Sequence, residues 1–263
     1  MSEHTFRAHY GAHQFARHLG ITRWQMRVGR EHGILPDPDL DGERWSASLA
    51  EKYRGHGEQV IARFGDHPPV GSARAATILA ARLGLDVDRR DVEVLAAQGD
   101  LNVISSFRGY PVYLLRDLDR LAPRAVETVV SARKGPLTDT VDASGAAMIL
   151  SWPRKTFGRI AAERDLATDR LGRYSLADIR ALGADETLMR RVAEEKRELD
   201  LNRTRQAETT TEDVVRGWML RCASYIDREA DQPPDMRTLN NAMRRLAALR
   251  AEIARQQWTP SHP

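Results

Sequence analysis

Apolar and polar positions follow one plan three times along the chain. In the first copy, Gln14-Phe15-Ala16-Arg17-His18-Leu19-Gly20-Ile21-Thr22-Arg23-Trp24-Gln25-Met26-Arg27-Val28 predicts a short helix, a tight turn and a second helix. The stretch from Gly33-Ile34-Leu35 to Ser46 predicts a hairpin that returns to them. Ala16 is small where two helices cross closely, and Gly20 supplies the left-handed backbone of the turn. Ile21 and Met26 cover the small core, and Thr22 stands where the second helix needs its N-cap. Gly33 is placed to end that helix, Pro36 to Gly42 is rich in turn residues, and Trp45 packs back on the helices. Ser46 caps a further short helix running to Tyr53.

The third copy begins at Ala146-Ala147, turns at Leu150-Ser151 and predicts a second helix over Trp152–Ile160, with Pro153 at its first position. Gly172-Arg173-Tyr174-Ser175 closes its hairpin as Gly42-Glu43-Arg44-Trp45-Ser46 closes the first. The middle copy keeps the turn in Ala80-Ala81-Arg82-Leu83-Gly84-Leu85, keeps an apolar face in Val92 and Leu95, and ends its helix at Gly99-Asp100-Leu101. Asn102–Tyr113 is β-branched and aromatic around Gly109, which predicts a longer hairpin. Ala16, Ala80 and Ala147 lie 64 and 67 residues apart, a spacing that suits separate small domains better than a solenoid.

From Asp185 the chain turns helix-rich and charged. Helices are expected over 186–206, 212–229 and 235–257, punctuated by Thr209-Thr210-Thr211 and Gln232-Pro233-Pro234. In the last of them Met236, Leu239, Met243, Leu246 and Ile253 follow three-and-four spacing, interrupted by Arg250, as in a short coiled coil or helical hairpin. These five are the candidate oligomerisation positions, with intramolecular packing and a partner-protein dock as the alternatives.

Composition narrows the classes. Of 263 residues, 41% are hydrophobic and 29% charged, which argues for a folded chain. One cysteine, Cys222, excludes a disulfide framework and a Cys-based zinc site. No apolar run is long enough to span a membrane, and Met1-Ser2-Glu3-His4 lacks a basic-then-apolar leader, so a cytoplasmic protein is expected. Seven histidines (His4, His9, His13, His18, His32, His56, His67) crowd the first 67 residues. No acid or cysteine stands at ligand spacing beside them, so no metal and no cofactor is expected. No Ser-His-Asp order, paired-carboxylate motif or phosphate-binding glycine loop is present, and the expectation is that the chain is not an enzyme.

The residues from Ala16-x-x-x-Gly20-Ile21-Thr22 through Gly33-Ile34-Leu35, closed by Arg44-Trp45-Ser46, resemble the MerR-type (excisionase-like) winged helix-turn-helix family. The resemblance extends over three blocks and is strongest in the first and third. It implies a mainly α fold with short β-wings: tandem winged helix-turn-helix domains over 1–68, 69–134 (degenerate, with an acidic second helix) and 135–182, then a helical C-terminal region over 183–263. It also implies double-stranded DNA as the partner, with the second helix in the major groove and the wing on backbone or minor groove. The chain departs from the family in having three copies and no Cys-rich sensor, so effector sensing does not carry over.

A formal charge of +3, from 40 basic residues and 37 acidic ones, does not by itself call for nucleic acid. Position decides, because phosphate neutralisation gives affinity and side chains at base edges give specificity. The first recognition helix carries Thr22, Arg23, Trp24, Gln25, Arg27 and Arg30, with Arg44 on its wing; the third carries Arg154, Lys155, Thr156 and Arg159, with Arg170 and Arg173 on its wing. These, with Arg108 on the middle wing, are the candidate DNA-binding residues. Trp24 is open to two roles, stacking in the groove or covering the core. In the second copy Asp86-Val87-Asp88-Arg89-Arg90-Asp91-Val92-Glu93 sets four acids against two bases, which phosphates would repel. That copy is open to four roles: a degenerate structural repeat, a backbone contact through Ser105, Ser106 and Arg108, a spacer, or a protein-binding surface. The expected function is a sequence-specific, nucleoid-associated DNA-binding protein, a transcriptional regulator, with homodimerisation through the C-terminal helices. An architectural factor of excisionase or plasmid and phage maintenance type, and a protein–protein adaptor, are the alternatives.

Overall fold

The computed structural model describes residues 9–258. Helix accounts for 65% of the residues and strand for 8%, so the chain is mainly α with short β elements. It divides into two compact units, Met1–Ala181 and Leu182–Pro263. The first takes in the stretches expected as 1–68 and 69–134 and all but the last residue of 135–182.

In the first unit the chain runs β1 (His9–Gly11), α1 (Ala12–His18), α2 (Arg23–Glu31), β2 (Arg44–Ser46), α3 (Ala47–Lys52) and α4 (His56–Phe64). It continues as β3 (Val70–Gly71), α5 (Ser72–Leu83), α6 (Arg89–Gln98), β4 (Ser105–Phe107), β5 (Tyr110–Tyr113), α7 (Leu115–Arg120) and α8 (Pro123–Lys134). Then follow β6 (Thr140–Val141), α9 (Ala143–Ile149), α10 (Arg154–Glu163), β7 (Tyr174–Ser175) and α11 (Leu176–Ala184). Three times, a strand ahead of two helices pairs antiparallel with a strand beyond them: β1 with β2, β6 with β7, and β3 with β5, the second strand after its helices. The middle sheet has a third strand, in the order β3-β5-β4.

The turn between the paired helices has the same hydrogen bonds in the first and third repeats. The Ala16 carbonyl accepts from the Ile21 amide at 2.9 Å, and the Ala147 carbonyl accepts from the Trp152 amide at 2.9 Å. Gly20 takes φ +70° at this turn, and Ser151 takes the same left-handed backbone at φ +55° without being glycine. In the middle repeat α5 is 12 residues long against 7 for α1 and α9, and Gly84 at φ +62° ends it. Ala16, Ala80 and Ala147 are all buried.

The first repeat closes on Trp45, whose ring lies parallel to Phe15 at 4.7 Å and whose Nε1 donates to the Pro36 carbonyl at 3.1 Å. Burying both polar and apolar parts of an indole this way anchors a hairpin that has few backbone bonds of its own. Thr22 caps α2 as expected, in a capping box with Gln25. Pro153 is the N-cap of α10 rather than its first helical residue. α4 packs on the α1–α2 turn through Gly57, where a Cβ would lie 2.0 Å from the Leu19 carbonyl oxygen.

In the second unit α12 (Glu186–Ile226) and α13 (Met236–Trp258) form an antiparallel hairpin. The break expected at Thr209-Thr210-Thr211 is absent: all three lie inside one 41-residue helix. Each threonine hydroxyl donates to the carbonyl four residues back, on Arg205, Gln206 and Ala207, so the side chains find hydrogen-bond partners without leaving the helix. The seam of α13 turns toward α12, with Ala242 and Leu246 buried and Leu239, Leu249 and Ile253 partly so. Of the five expected oligomerisation positions, Leu246 is thus enclosed within the chain, while Met236 and Met243 stay exposed. Arg250, which interrupts the pattern, is the cross-link of the hairpin: its Nε donates to Glu208 at 2.9 Å and its Nη2 to Glu212 at 2.8 Å. Those two bonds hold its guanidinium above the ordinary arginine value.

Candidate nucleic-acid interface

Amphipathicity sorts the candidate residues. On α2 the buried positions are Gln25, Met26, Val28 and Gly29, and Arg23, Arg27 and Arg30 recur at i, i+4 and i+7 on the opposite side. Arg23 is exposed and has no ion-pair partner among the described residues. Arg27 sits 3.6 Å from Glu31. Arg30 is tied down, donating to Asp37 at 2.6 Å while its guanidinium lies 5.5 Å over the Trp45 ring. Trp24 is half-buried against the core of the first repeat, as its core-covering role requires, and also lines the cleft beside it.

Two polar residues of the expected set are internal. Gln25 is 2% exposed; its Oε1 accepts from the Thr22 amide at 2.8 Å and its Nε2 donates to the Gly65 carbonyl at 2.7 Å. It ties α2 to the end of α4 and offers nothing to a ligand. Thr156 is 4% exposed, on the inner face of α10 with Phe157 and Ile160. Both expectations are corrected: an uncharged polar side chain on these helices faces inward when its spacing puts it on the apolar stripe. Arg173 is likewise internal to the fold, its Nε on Thr140 Oγ1 at 2.9 Å and its Nη2 on the Thr140 carbonyl at 3.0 Å.

On α10 the outward face carries Arg154, Lys155 and Arg159, with Arg159 paired to Glu163 at 2.6 Å. Arg154 and Lys155 are exposed, with no ion-pair partner among the described residues. Arg44, at the foot of the first hairpin, donates to His9 Nε2 at 3.2 Å; Arg170 is exposed on the third hairpin.

Two acids of the middle repeat, Asp86 and Asp91, are engaged by cations of the fold, while Asp88, the N-cap of α6, is exposed. Asp91 is 1% exposed, and its carboxylate accepts from the Asp88 amide and from Arg133 Nε, each at 2.8 Å. Asp86 accepts from Lys134 Nζ at 2.9 Å and lies 3.7 Å from Arg173. Of the charges on α6, the ones turned outward are Arg89, Arg90 and, partly, Glu93. Glu93 accepts from Arg89 Nε at 2.8 Å, and that bond with its charge holds the guanidinium above its ordinary value. The sequence count of four acids against two bases therefore overstates the acidity of this surface, where Asp88 and part of Glu93 face Arg89 and Arg90.

The β4–β5 hairpin lies beside α2 of the first repeat. The Ile104 carbonyl accepts from His32 Nε2 at 2.8 Å, which places the ring proton on Nε2, and Ser105 Oγ donates to Glu31 at 2.5 Å. Arg108 at φ +53° and Gly109 at φ +81° make the tight tip, flanked by Phe107 and Tyr110. Sequence reasoning used these two rings only as a hairpin signal, although aromatic residues on both sides of a Gly turn were visible as such.

Among the described residues no group of three or more His, Cys, Asp or Glu is placed to hold a metal ion, and no helix is long and apolar enough to cross a membrane. His4 lies outside the described residues. The chain matches no family model, no curated protein and no solved structure.

Proposed function

We propose that this chain is a sequence-specific double-stranded DNA-binding protein of the transcriptional-regulator kind, built from three winged helix-turn-helix repeats of MerR-like plan. α2 and α10 enter the major groove in this reading, and the turns that close on β2 and β7, bridged at Leu40–Arg44 and Thr168–Tyr174, act as wings on the backbone. The observation that carries it is the sorting of charge on these two helices: each buries its apolar and short polar side chains and turns its cations outward, Arg23 and Arg27 on one, Arg154, Lys155 and Arg159 on the other. Arginine is the side chain best suited to reading guanine, through paired bonds to O6 and N7. Neither helix carries many free cations, so the two modules work together, the tether between them raising the effective concentration of the second. Such a protein works on the nucleoid.

The adaptor reading drew on the acidic middle repeat, and Asp86 and Asp91 are engaged within the chain. The architectural reading shares the same interface and differs in footprint length and DNA bending. Selection from a pool of random duplexes, followed by footprinting of the enriched site, tests the proposal. Protection in two major-groove segments, one lost with Arg23→Ala and Arg27→Ala and the other with Arg154→Ala and Lys155→Ala, is the expected pattern. No enrichment of any duplex would overturn it.

A further inference from the structure

We propose that Phe107 and Tyr110 form a nucleobase-stacking site at the tip of the middle hairpin, served by arginines of two repeats. This rests on the DNA-binding reading and assigns the middle repeat a role in it through its hairpin. The strand register sets Phe107 directly opposite Tyr110, so both rings stand on the same face of a two-stranded ribbon. Phe107 is 52% exposed and Tyr110 61%, while Val112, on the same face one step inward, is buried. Packing of the hairpin therefore ends at Val112, and the two rings beyond it lack a partner on their outer side.

Cations surround them. The Arg27 guanidinium of α2 lies 5.6 Å and that of Arg108 5.4 Å from the Phe107 ring centre, and Arg89 of α6 lies 5.7 Å from that of Tyr110. Glu31 and Glu93 hold Arg27 and Arg89 in place. Under the rings runs an open cleft of about 680 Å³ that also takes in Arg23 and Trp24 and has no carboxylate in its lining. Exposed rings interleaved with arginines suit a flat, electron-rich ligand attached to a phosphate: the ring takes the face of a base and the guanidinium takes the backbone. The chemistry is an unstacked nucleobase, either from one opened step of a duplex or from a single strand.

The test uses the full chain and a random-sequence duplex of about 40 base pairs, roughly four helical turns, carrying 2-aminopurine, with the matching single strand as a second arm. A rise in fluorescence on the duplex assigns the base to an opened step, and a change on the single strand alone assigns it to single-stranded DNA; either supports the site. Phe107→Ala with Tyr110→Ala is expected to abolish the signal and weaken binding by about 10-fold or more, with an unchanged thermal midpoint. Phe107→Trp with Tyr110→Trp is expected to restore both, and Phe107→Leu with Tyr110→Leu to restore neither. If the alanine pair binds and signals as wild type while Arg154→Ala with Lys155→Ala still weakens binding, the stacking site is wrong and the DNA-binding reading stands. If wild type binds neither arm, both fall.

Discussion

Arg133 on α8 donates through Nε to the buried Asp91 carboxylate on α6 at 2.8 Å. Burial works against the charge on Arg133, and the bond and charge of Asp91 outweigh it, holding the guanidinium above its ordinary value. The same carboxylate accepts the Asp88 amide at the first turn of α6, so one side chain completes the helix's capping box and clamps two helices together. Asp91→Ala removes one half of the capping box, leaving the Asp88 N-cap, and leaves Arg133 without its partner. Because the Arg133 side chain is about one-third exposed, water recovers part of the loss, and a destabilisation of about 2 kcal/mol is expected. The urea midpoint of the full chain measures it. A midpoint within error of wild type would mean the clamp is idle.

Asp39 governs how the first hairpin responds to acid. Ser46 donates to its carboxylate from the hydroxyl at 2.5 Å and from the amide at 2.7 Å, and these bonds, the hydroxyl's first, hold Asp39 below its ordinary value of 3.8. A depressed folded value contributes stability that is complete above the unfolded value and disappears as pH falls through the folded one. The hairpin is therefore at full strength at neutral pH and loosens only in acid below the ordinary aspartate range. An NMR titration should place the Asp39 carboxyl midpoint below 3.8, with the Ser46 amide shifting in step. Asp39→Asn should remove that step, and an ordinary midpoint would contradict the geometry.

Two glycines of the first unit respond oppositely to alanine. A Cβ at Gly57 would lie 2.0 Å from the Leu19 carbonyl oxygen, a backbone atom that cannot swing aside, so Gly57→Ala should destabilise by about 1–3 kcal/mol. Gly158, inside α10, has nothing within 4 Å of a built Cβ. Gly158→Ala should stabilise by about 0.5–1 kcal/mol through helix propensity alone. Thermal unfolding of the two variants beside wild type decides both.

What could be read from the sequence is what depends on near neighbours. Gly20, Thr22, Trp45 and Ser46 act over a few residues, and each occupies the turn, cap or core position its chemistry predicts. Partners far along the chain were invisible: Asp91 meets Arg133, 42 residues away. The same distance hides the burial of Gln25, whose amide meets Gly65, 40 residues on. Thr209 to Thr211 read as a break because threonine prefers strands and turns, and the packing of α13 along α12 overrides that preference. At the interface, cations on α2 and α10 follow from helical spacing, whereas the approach of Phe107 to Arg27 joins two repeats and needs the fold.

The salt dependence of duplex affinity tests the central claim most directly. Each phosphate neutralised by a cation contributes a slope of about −0.9 in the logarithm of affinity against the logarithm of salt. Wild type should lose affinity steeply as salt rises. The triple variant Arg23→Ala, Arg154→Ala, Lys155→Ala should bind more weakly, with a slope shallower by roughly 2–3. A wild-type affinity that stays flat from low to high salt, or a triple variant with an unchanged slope, would contradict a DNA interface built on α2 and α10.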